Sequence, residues 1–178
     1  QGEGTPARAA HRTAATARLR AGLYSAGTFA TVAEGVTNTE NYLGLQQSRY
    51  EFAIHFPCEA GGEVMDALPP KLILQPLVES ALFHGIAPAS GGNIAARLVK
   101  EGETLLVSVT DDGVGISEEK RQKLAAGQLD NTRSYSHVGF KNVNDRLVLL
   151  YGEGSLLHIE SQEGHGTTVS FRIPFVSE

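Results

Sequence analysis

The stretch T-D-D-G-V-G-I, residues 110–116, decides the fold of this chain. It follows an apolar, β-branched run without Gly or Pro, Thr104 to Val109, which predicts a buried strand. Two carboxylates and two glycines come directly after that strand. Because Gly tolerates positive φ and has no Cβ, the backbone can turn sharply there and lie against a flat ligand. An ionised Asp only accepts hydrogen bonds, which suits an exocyclic amino group. The same residues would also serve as a plain solvent-facing turn.

Length, composition and charge restrict the class of protein. The 178 residues, 41% of them hydrophobic, are enough for one domain with its own core and a helical attachment. A net charge of -5 argues against a nucleic-acid partner, because phosphate binding needs clustered Lys and Arg. The lone Cys58 excludes an internal disulfide and a cysteine-based metal site, and it suits a reducing cytosol.

No membrane segment is expected in this fragment. A membrane-spanning helix needs roughly 20 apolar residues in a row, and no run approaches that length. No secretory signal is visible either. Residues 1–6 look like the ragged edge of an excised fragment. We therefore expect the lack of a membrane segment here to say nothing about the parent protein.

Two helices are predicted before the first strand. Residues 1 to about 27 are rich in Ala and Arg, which favours a helix with a thin apolar stripe whose partner lies elsewhere. Residues 32–50 predict a second amphipathic helix. The run 50–56 alternates and predicts a strand ended by Pro57, and residues 58–70 are predicted to be loop.

The next helix carries the first polar cluster. Pro69-Pro70 predicts its start, and it should run from Lys71 to about His84 and end at Gly85. Pro76 removes a backbone donor within it, so we expect a kink or a delayed start. One side forms the core face, with Leu74, Leu77, Val78, Ala81 and Leu82, whereas Pro76, Ser80 and His84 recur on a more polar side.

The second half of the chain mixes strands and helices without strict alternation. Strands are expected at 93–99, 104–111, 155–161 and 167–174, and helices at 118–126, after a Ser117 cap, and at 139–151. Residues 127–137 lack periodicity, and so long a loop is usually functional or mobile. A Gly-rich hairpin, residues 162–166, joins the last two strands. The predicted fold class is a two-layer α/β (α+β) sandwich, with a mixed sheet covered on one face by helices.

Four motif stretches follow one another in a fixed order. They are E-S-A-L-F-H-G at 79–85, D-D-G-V-G at 111–115, G-F-K-N-V at 139–143 and G-H-G-T-T at 164–168. Each alone is explicable as ordinary structure, since a Gly before a helix is often a hinge and a Gly-rich hairpin is often only a turn. Their order and spacing together are a stronger signal than any one of them.

This arrangement resembles the Bergerat-fold ATP-binding domain that sensor histidine kinases share with gyrase B, Hsp90 chaperones and MutL proteins. L-Q-P-L-V-E-S-A at 74–81, with V-G-F-K-N-V at 138–143, is similar to the LytS/YesM type of sensor histidine kinase. The resemblance covers Leu19 to Phe175. It implies a helical segment at 1–49, the end of a dimerisation region, and an ATP-binding catalytic domain at 50–178.

The resemblance implies an adenine site built around Asp111. Asp111, Gly113 and Gly115 would form the turn that receives adenine, with Asp111 accepting a hydrogen bond from its amino group. Gly166 and Thr167 would close the pocket, and Thr167 would help through its hydroxyl or through a water.

The phosphates are expected beside a lid, residues 127–138. Gly139 would begin a helix whose unpaired N–H groups and dipole face the phosphates. Lys141 would add a positive charge there, or it is a solvated surface lysine. His84 would meet a phosphate, or it simply completes the last turn of its helix.

The implied cofactors are ATP and Mg²⁺, and Ser80 is the predicted metal ligand. The family normally has Asn at this position. A Ser hydroxyl can coordinate Mg²⁺ but is shorter, so either a water fills the gap or metal binding is weaker. Glu79 is the predicted catalytic residue, as a base or a second anchor, or else it is an exposed helix carboxylate. His137 stands where many of these kinases have Gly.

The family's phosphoacceptor histidine lies in a Pro-His-Phe stretch, and none of the six histidines has that context. The resemblance therefore implies the ATP-binding catalytic domain of a two-component sensor histidine kinase. It would be cytoplasmic, in a membrane-linked parent that dimerises through upstream helices, and would send the γ-phosphate through an upstream histidine to a response regulator. Two alternatives remain open: a signalling scaffold that kept the fold and lost the activity, and a serine kinase or ATPase on the same fold.

Overall fold

The computed structural model describes residues 27–125 and 135–177, and within them six strands form one mixed sheet. The strands are β1 (Ile54–His55), β2 (Cys58–Ala60), β3 (Gly92–Glu101), β4 (Thr104–Asp111), β5 (His158–Gln162) and β6 (Gly166–Pro174). Their order is β1-β3-β4-β6-β5, and β2 also pairs with β3. β1 and β2 run parallel to β3, whereas the β3–β4, β4–β6 and β5–β6 pairs are antiparallel.

The core lies on one face of this sheet. Side chains alternate between the two faces of a strand, so every second residue points to the same side. On the core side, the three long strands supply Ile94, Ala96, Leu98, Leu105, Val107, Val109, Val169, Phe171 and Ile173. Buried helical residues pack onto them, among them Leu77, Leu82, Val143 and Leu147. The predicted mixed sheet covered on one face by helices is confirmed.

The described helices are α1 (Val32–Gln47), α2 (Leu74–Ser80), a π-helix (Ala81–Ile86), α3 (Glu118–Ala125) and α4 (Tyr135–Tyr151), with 3-10 turns at Gly62–Val64 and Glu153–Ser155. The local sequence explains where α1 begins and where α4 ends. α1 begins with a capping box, in which the Glu34 N–H donates to the Thr31 hydroxyl and the Thr31 N–H donates to the Glu34 carboxylate. α4 ends before Gly152, which has a φ of 89° that suits Gly.

α1 packs into the same core as the sheet. Its residues Val32, Val36 and Leu43 are buried in the one hydrophobic cluster. The Arg146 guanidinium of α4 donates to the carbonyl oxygens of Thr28 and Lys71, which precede α1 and α2. These bonds join the beginnings of two helices to the side of a third. The division of the chain at residue 49 stays a prediction.

The first polar helix begins and ends later than the sequence suggested. It starts at Leu74 rather than Lys71, because Leu72 has a left-handed φ of 57° and interrupts the helix. Pro76 then lies in the first turn, where its missing N–H leaves no bond unmade. The predicted delayed start is confirmed. The predicted end at Gly85 is wrong, since the π-helix continues through Gly85 to Ile86.

Three other predicted boundaries are wrong. The strand expected at 50–56 is reduced to the two residues of β1, and the loop expected at 58–70 begins with β2, because β3 offers it a parallel partner. The strand expected at 155–161 starts only at His158, since a 3-10 turn precedes it. The predicted helix at residues 1 to about 27 lies almost entirely outside the described residues. Of the predicted lid at 127–138, residues 127–134 lie outside them and residues 135–138 belong to the first turns of α4. No helix that the structure describes is both long and apolar enough to cross a membrane.

Candidate nucleotide-binding site

Asp111, the last residue of β4, is buried, with 4% of its surface exposed. Burial raises the pKa of its carboxyl group to about 6, and the charge of Asp112 contributes to the rise. Backbone N–H groups of Gly113 and Thr167 donate to the carboxylate and offset part of that rise. At neutral pH the group is therefore mostly ionised, and it is a buried hydrogen-bond acceptor.

Close backbone contacts explain the glycines around Asp111. A Cβ at Gly85 would overlap the Asp111 carboxylate, and a Cβ at Gly113 would overlap the Gly85 backbone. Gly166 has a φ of 88°, and a Cβ there would overlap the Asp111 carbonyl oxygen. Gly115 has a φ of 68°, and its Cβ would overlap the hairpin backbone. The D-D-G-V-G turn thus fits between the π-helix and the β5–β6 hairpin only because these positions lack side chains.

A narrow cleft lies beside Asp111 and encloses about 340 Å³, its open mouth included. Its apolar lining comes from Leu77, Ala81, Val109, Ile116, Phe140 and Val169. Its polar side chains are Ser80, His84, Asp111 and Thr167. Apolar walls with a few polar groups form the environment that binds a flat heteroaromatic ring. The structure therefore brings together four of the predicted side chains.

The π-helix holds one wall of this cleft against the turn. Its wider hydrogen-bonding pattern is seen where the Ala87 N–H donates to the Leu82 carbonyl oxygen at 2.9 Å. The carbonyl oxygen of Gly85 accepts from the Val114 N–H at 3.1 Å. Short π-helical segments are frequent at functional sites. His84 is half-buried, lies in the last turn of this segment and lines the cleft, so its contact with a phosphate stays a prediction.

Sequence reasoning missed Ser161, which connects three parts of the site. Its hydroxyl accepts from the Ile116 N–H at 2.8 Å, donates to the Gly166 carbonyl oxygen at 2.9 Å, and lies 2.8 Å from the Thr167 hydroxyl. It faces Thr167 directly across the β5–β6 pair. The sequence signal that could have pointed to Ser161 is a small polar residue at an inward-facing position of β5. Asp112 was also missed, and its carboxylate accepts two hydrogen bonds from Asn93.

Six predicted residues lie outside the lining of the cleft: the glycines Gly113, Gly115, Gly139 and Gly166, and the two charged residues Glu79 and Lys141. Glu79 accepts from the Gln75 side-chain amide at 2.9 Å. Burial raises the pKa of Tyr42 in α1 to about 12, and the negative charge of Glu79 contributes to that rise. Lys141 is exposed and forms an ion pair with Asp145 at 2.6 Å, one turn further along α4.

The prediction that Gly139 begins its helix is wrong. α4 begins at Tyr135, so Gly139 is its fifth residue and lies beyond the turn whose N–H groups are unpaired. Gly139 instead lies near α2, since a Cβ there would come within 3.9 Å of the Pro76 side chain. Any N–H groups that this helix offers to a phosphate belong to residues before Gly139.

The fold and the cleft agree with one known family. The sequence profile described as "Histidine kinase-, DNA gyrase B-, and HSP90-like ATPase" matches residues 65–177. The chain belongs to this family. The predicted ATP-binding domain and the predicted Bergerat fold are confirmed.

Individual relatives point the same way. Sensor protein kinase HptS of Staphylococcus aureus (strain USA300) is 28% identical over 141 residues, which are 79% of this chain and 27% of that protein. The chain thus spans about a quarter of the length of the curated relatives it matches. The histidine kinase domain of a blue-light activated kinase from Erythrobacter litoralis EL346 superposes with a TM-score of 0.56 at 17% identity, covering 93% of this chain and 72% of that one. The catalytic domain of histidine kinase ThkA gives 0.59 at 17%, covering 83% and 96%. These two likenesses show the fold.

Proposed function

We propose that this domain binds Mg-ATP and transfers its γ-phosphate to a histidine on an upstream helix of a sensor kinase, for relay to a response regulator. Membership of the ATPase family and the similarity to a sensor kinase support this proposal. The single observation that carries it is the buried Asp111 carboxylate beside a narrow apolar cleft. The finer LytS/YesM assignment rests on the motifs at 74–81 and 138–143.

Adenine recognition follows from the polarity of the cleft. The ring would lie between the apolar side chains of Val109, Ile116 and Val169, and would be excluded from water there. The ionised Asp111 would accept a hydrogen bond from the adenine amino group, and Thr167 would take part through its hydroxyl. A base without a donor at that edge would leave the part of the buried carboxylate that faces the base without a hydrogen bond, which costs affinity.

The triphosphate would extend toward the mouth, past Ser80 and His84. Among the described residues, no three His, Cys, Asp or Glu side chains cluster as a ready-made metal site. That fits Mg²⁺ in a nucleotide site, because the ion takes most of its ligands from phosphate oxygens and water. Ser80 would supply one protein oxygen, and Mg²⁺ would neutralise charge on the phosphates during transfer. Lys141 would add a positive charge only by leaving Asp145.

Glu79 would act on the acceptor rather than on the nucleotide. It lies next to Ser80 in sequence, yet its carboxylate accepts a hydrogen bond from Gln75 and does not line the cleft. A base in that position would orient the attacking imidazole, and the cleft would hold the phosphate. We propose that the acceptor histidine lies on a helix upstream of the catalytic domain. The parent protein would dimerise through such upstream helices, with this domain in the cytoplasm.

One observation favours a second candidate, a signalling scaffold without catalysis. Ser80 replaces the Asn that this family normally uses to hold the metal. Calorimetric titration with ATP, with Mg²⁺ and then with EDTA, separates the two candidates. Binding that EDTA weakens supports the kinase, whereas no binding in either condition supports the scaffold.

Transfer itself is tested by supplying the parent's acceptor helix as a separate polypeptide with γ-labelled ATP. Label that is stable in base and lost in acid indicates phosphohistidine. The Asp111→Asn variant is the matched control, and it should neither bind ATP nor transfer phosphate. Release of free phosphate without labelled protein would favour an ATPase instead.

A further inference from the structure

The Ser161 hydroxyl has a complete set of hydrogen bonds. It donates to the Gly166 carbonyl oxygen at 2.9 Å and accepts from the Ile116 N–H at 2.8 Å. The hydroxyl of Thr167 lies 2.8 Å from the same oxygen. Ser161 is half-buried in β5 and does not appear in the lining of the cleft, whereas Thr167 does.

Counting protons fixes the direction of the Ser161–Thr167 bond. A hydroxyl has one proton and two lone pairs. The Ser161 proton is used on the Gly166 carbonyl oxygen, which can only accept, and one lone pair is used by the Ile116 N–H, which can only donate. The remaining lone pair therefore accepts the proton of Thr167. Any bond that the Thr167 oxygen makes to a ligand is then one in which Thr167 accepts.

Two acceptors consequently stand side by side at one edge of the cleft. Asp111 and Thr167 are paired in register across β4 and β6, and both line the cleft. Asp111 is mostly ionised at neutral pH, so it also accepts only. Such an edge favours a ring substituent with two N–H protons, which can serve both acceptors. A ring carbonyl oxygen placed there would face lone pairs on both sides.

We propose that Ser161 is a positioning residue that sets the base specificity of the site, selecting 6-aminopurine over 6-oxopurine nucleotides. It acts without touching the ligand, by holding the Thr167 proton away from the cleft. This inference rests on the proposed ATP function, because it assigns the Asp111 edge to the purine 6-position. Without Ser161, the Thr167 hydroxyl is free to rotate and to donate to a 6-oxo group.

The test compares ATP with ITP, which differ at the purine 6-position and the adjacent ring nitrogen. Dissociation constants for both, with Mg²⁺, are measured at about pH 7.5, above the pKa of Asp111. In the wild type ITP should bind much more weakly than ATP. Ser161→Ala should lower the ITP-to-ATP ratio of dissociation constants about tenfold, the value of one hydrogen bond. Ser161→Thr keeps the hydroxyl and should keep the ratio.

The ITP-to-ATP ratio of dissociation constants distinguishes a change in the orientation of the Thr167 hydroxyl from a general loss of nucleotide affinity. Loss of the Ile116 bond alone would weaken both nucleotides equally and leave the ratio unchanged, so an unchanged ratio in a folded Ser161→Ala protein overturns the inference. In a Thr167→Val background, Ser161→Ala should have no further effect on the ratio. Should Ser161→Ala fail to fold, Ser161→Cys replaces it, because a thiol is only a weak hydrogen-bond acceptor. A full ratio in that variant overturns the inference and a reduced one supports it. If the wild type binds neither nucleotide, the proposed function itself fails.

Discussion

Asp112 and Asn93 exchange three hydrogen bonds between the end of β4 and the start of β3. The backbone and side-chain N–H groups of Asn93 donate to the two carboxylate oxygens of Asp112, each at 2.6 Å. The Asp112 N–H donates back to the Asn93 carbonyl oxygen at 3.3 Å. The first residue of the turn, Asp111, faces the cleft, and the second anchors the turn to the neighbouring strand. These bonds also hold the pKa of the Asp112 carboxyl below its usual range.

Replacing Asp112 by Ala should destabilise the domain by about 1 kcal/mol, since it removes two hydrogen bonds near solvent. Thermal unfolding measures this loss, and Asp112→Asn, which keeps one acceptor oxygen, should lose less. The folded pKa of Asp112 lies below the unfolded one, so its contribution is present at neutral pH and is lost as the pH falls below about 4. A stability gap between wild type and Asp112→Asn that does not shrink in acid would contradict this.

Asp111 should show the opposite pH dependence. Its pKa of about 6 in the folded domain exceeds the value of about 3.9 in an unfolded chain. The folded state therefore takes up a proton first, and stability rises as the pH falls from about 7 to about 5. Urea unfolding across that range, compared with Asp111→Asn, isolates this group. A constant difference between the two proteins would place its pKa outside this range.

Asp111→Asn should also abolish ATP binding while the domain stays folded. The amide puts a donor where the adenine amino group needs an acceptor, and it keeps the size of the side chain. Calorimetric titration with Mg-ATP and a circular dichroism spectrum test both halves of this prediction. An unchanged dissociation constant would remove Asp111 from the site.

Ser80→Asn should keep or raise the affinity for Mg-ATP, because the longer side chain brings an oxygen closer to a metal on the phosphates. Ser80→Ala should lower it. The matched control is ADP with EDTA, for which the variants should differ little. A clear fall in Mg-ATP affinity for Ser80→Asn would show that this position does not serve the metal.

Gly113→Ala should destabilise the domain by about 3 kcal/mol or abolish folding, since the new methyl group overlaps the backbone of Gly85. Gly154→Ala is the matched control, because a Cβ there meets nothing within 4 Å. The control should change the free energy of unfolding by less than about 1 kcal/mol. Chemical denaturation of both variants measures the contrast, and equal effects would contradict the close packing of the turn.

The long strands could be predicted from sequence because their signal is local. β4 has the predicted limits, Thr104 to Asp111, since apolar, β-branched residues fill it and the D-D-G turn ends it. β6 gains only Gly166 over the predicted 167–174. The short β2 could not be predicted, because its partner in β3 is 38 residues away along the chain and no alternation marks it.

Individual residues of the candidate site could be predicted from sequence only where they belong to one of the four motifs. Ser80, His84, Asp111 and Thr167 do line one cleft. The π-helix was not predictable, because its wider turns depend on packing against the D-D-G-V-G turn. The start of α4 before Gly139 was missed for a different reason, since the residues ahead of it have a loop-like composition.

The hydrogen bonds of Arg146 connect two distant segments of the chain to the helix beside the cleft. Its guanidinium donates hydrogen bonds to the carbonyl oxygens of both Thr28 and Lys71. The same helix, α4, carries Phe140, which lines the cleft. The backbone ahead of Val32 is therefore connected to one wall of the cleft through a single helix, α4. A displacement of that backbone segment would be expected to reach the cleft through the same helix.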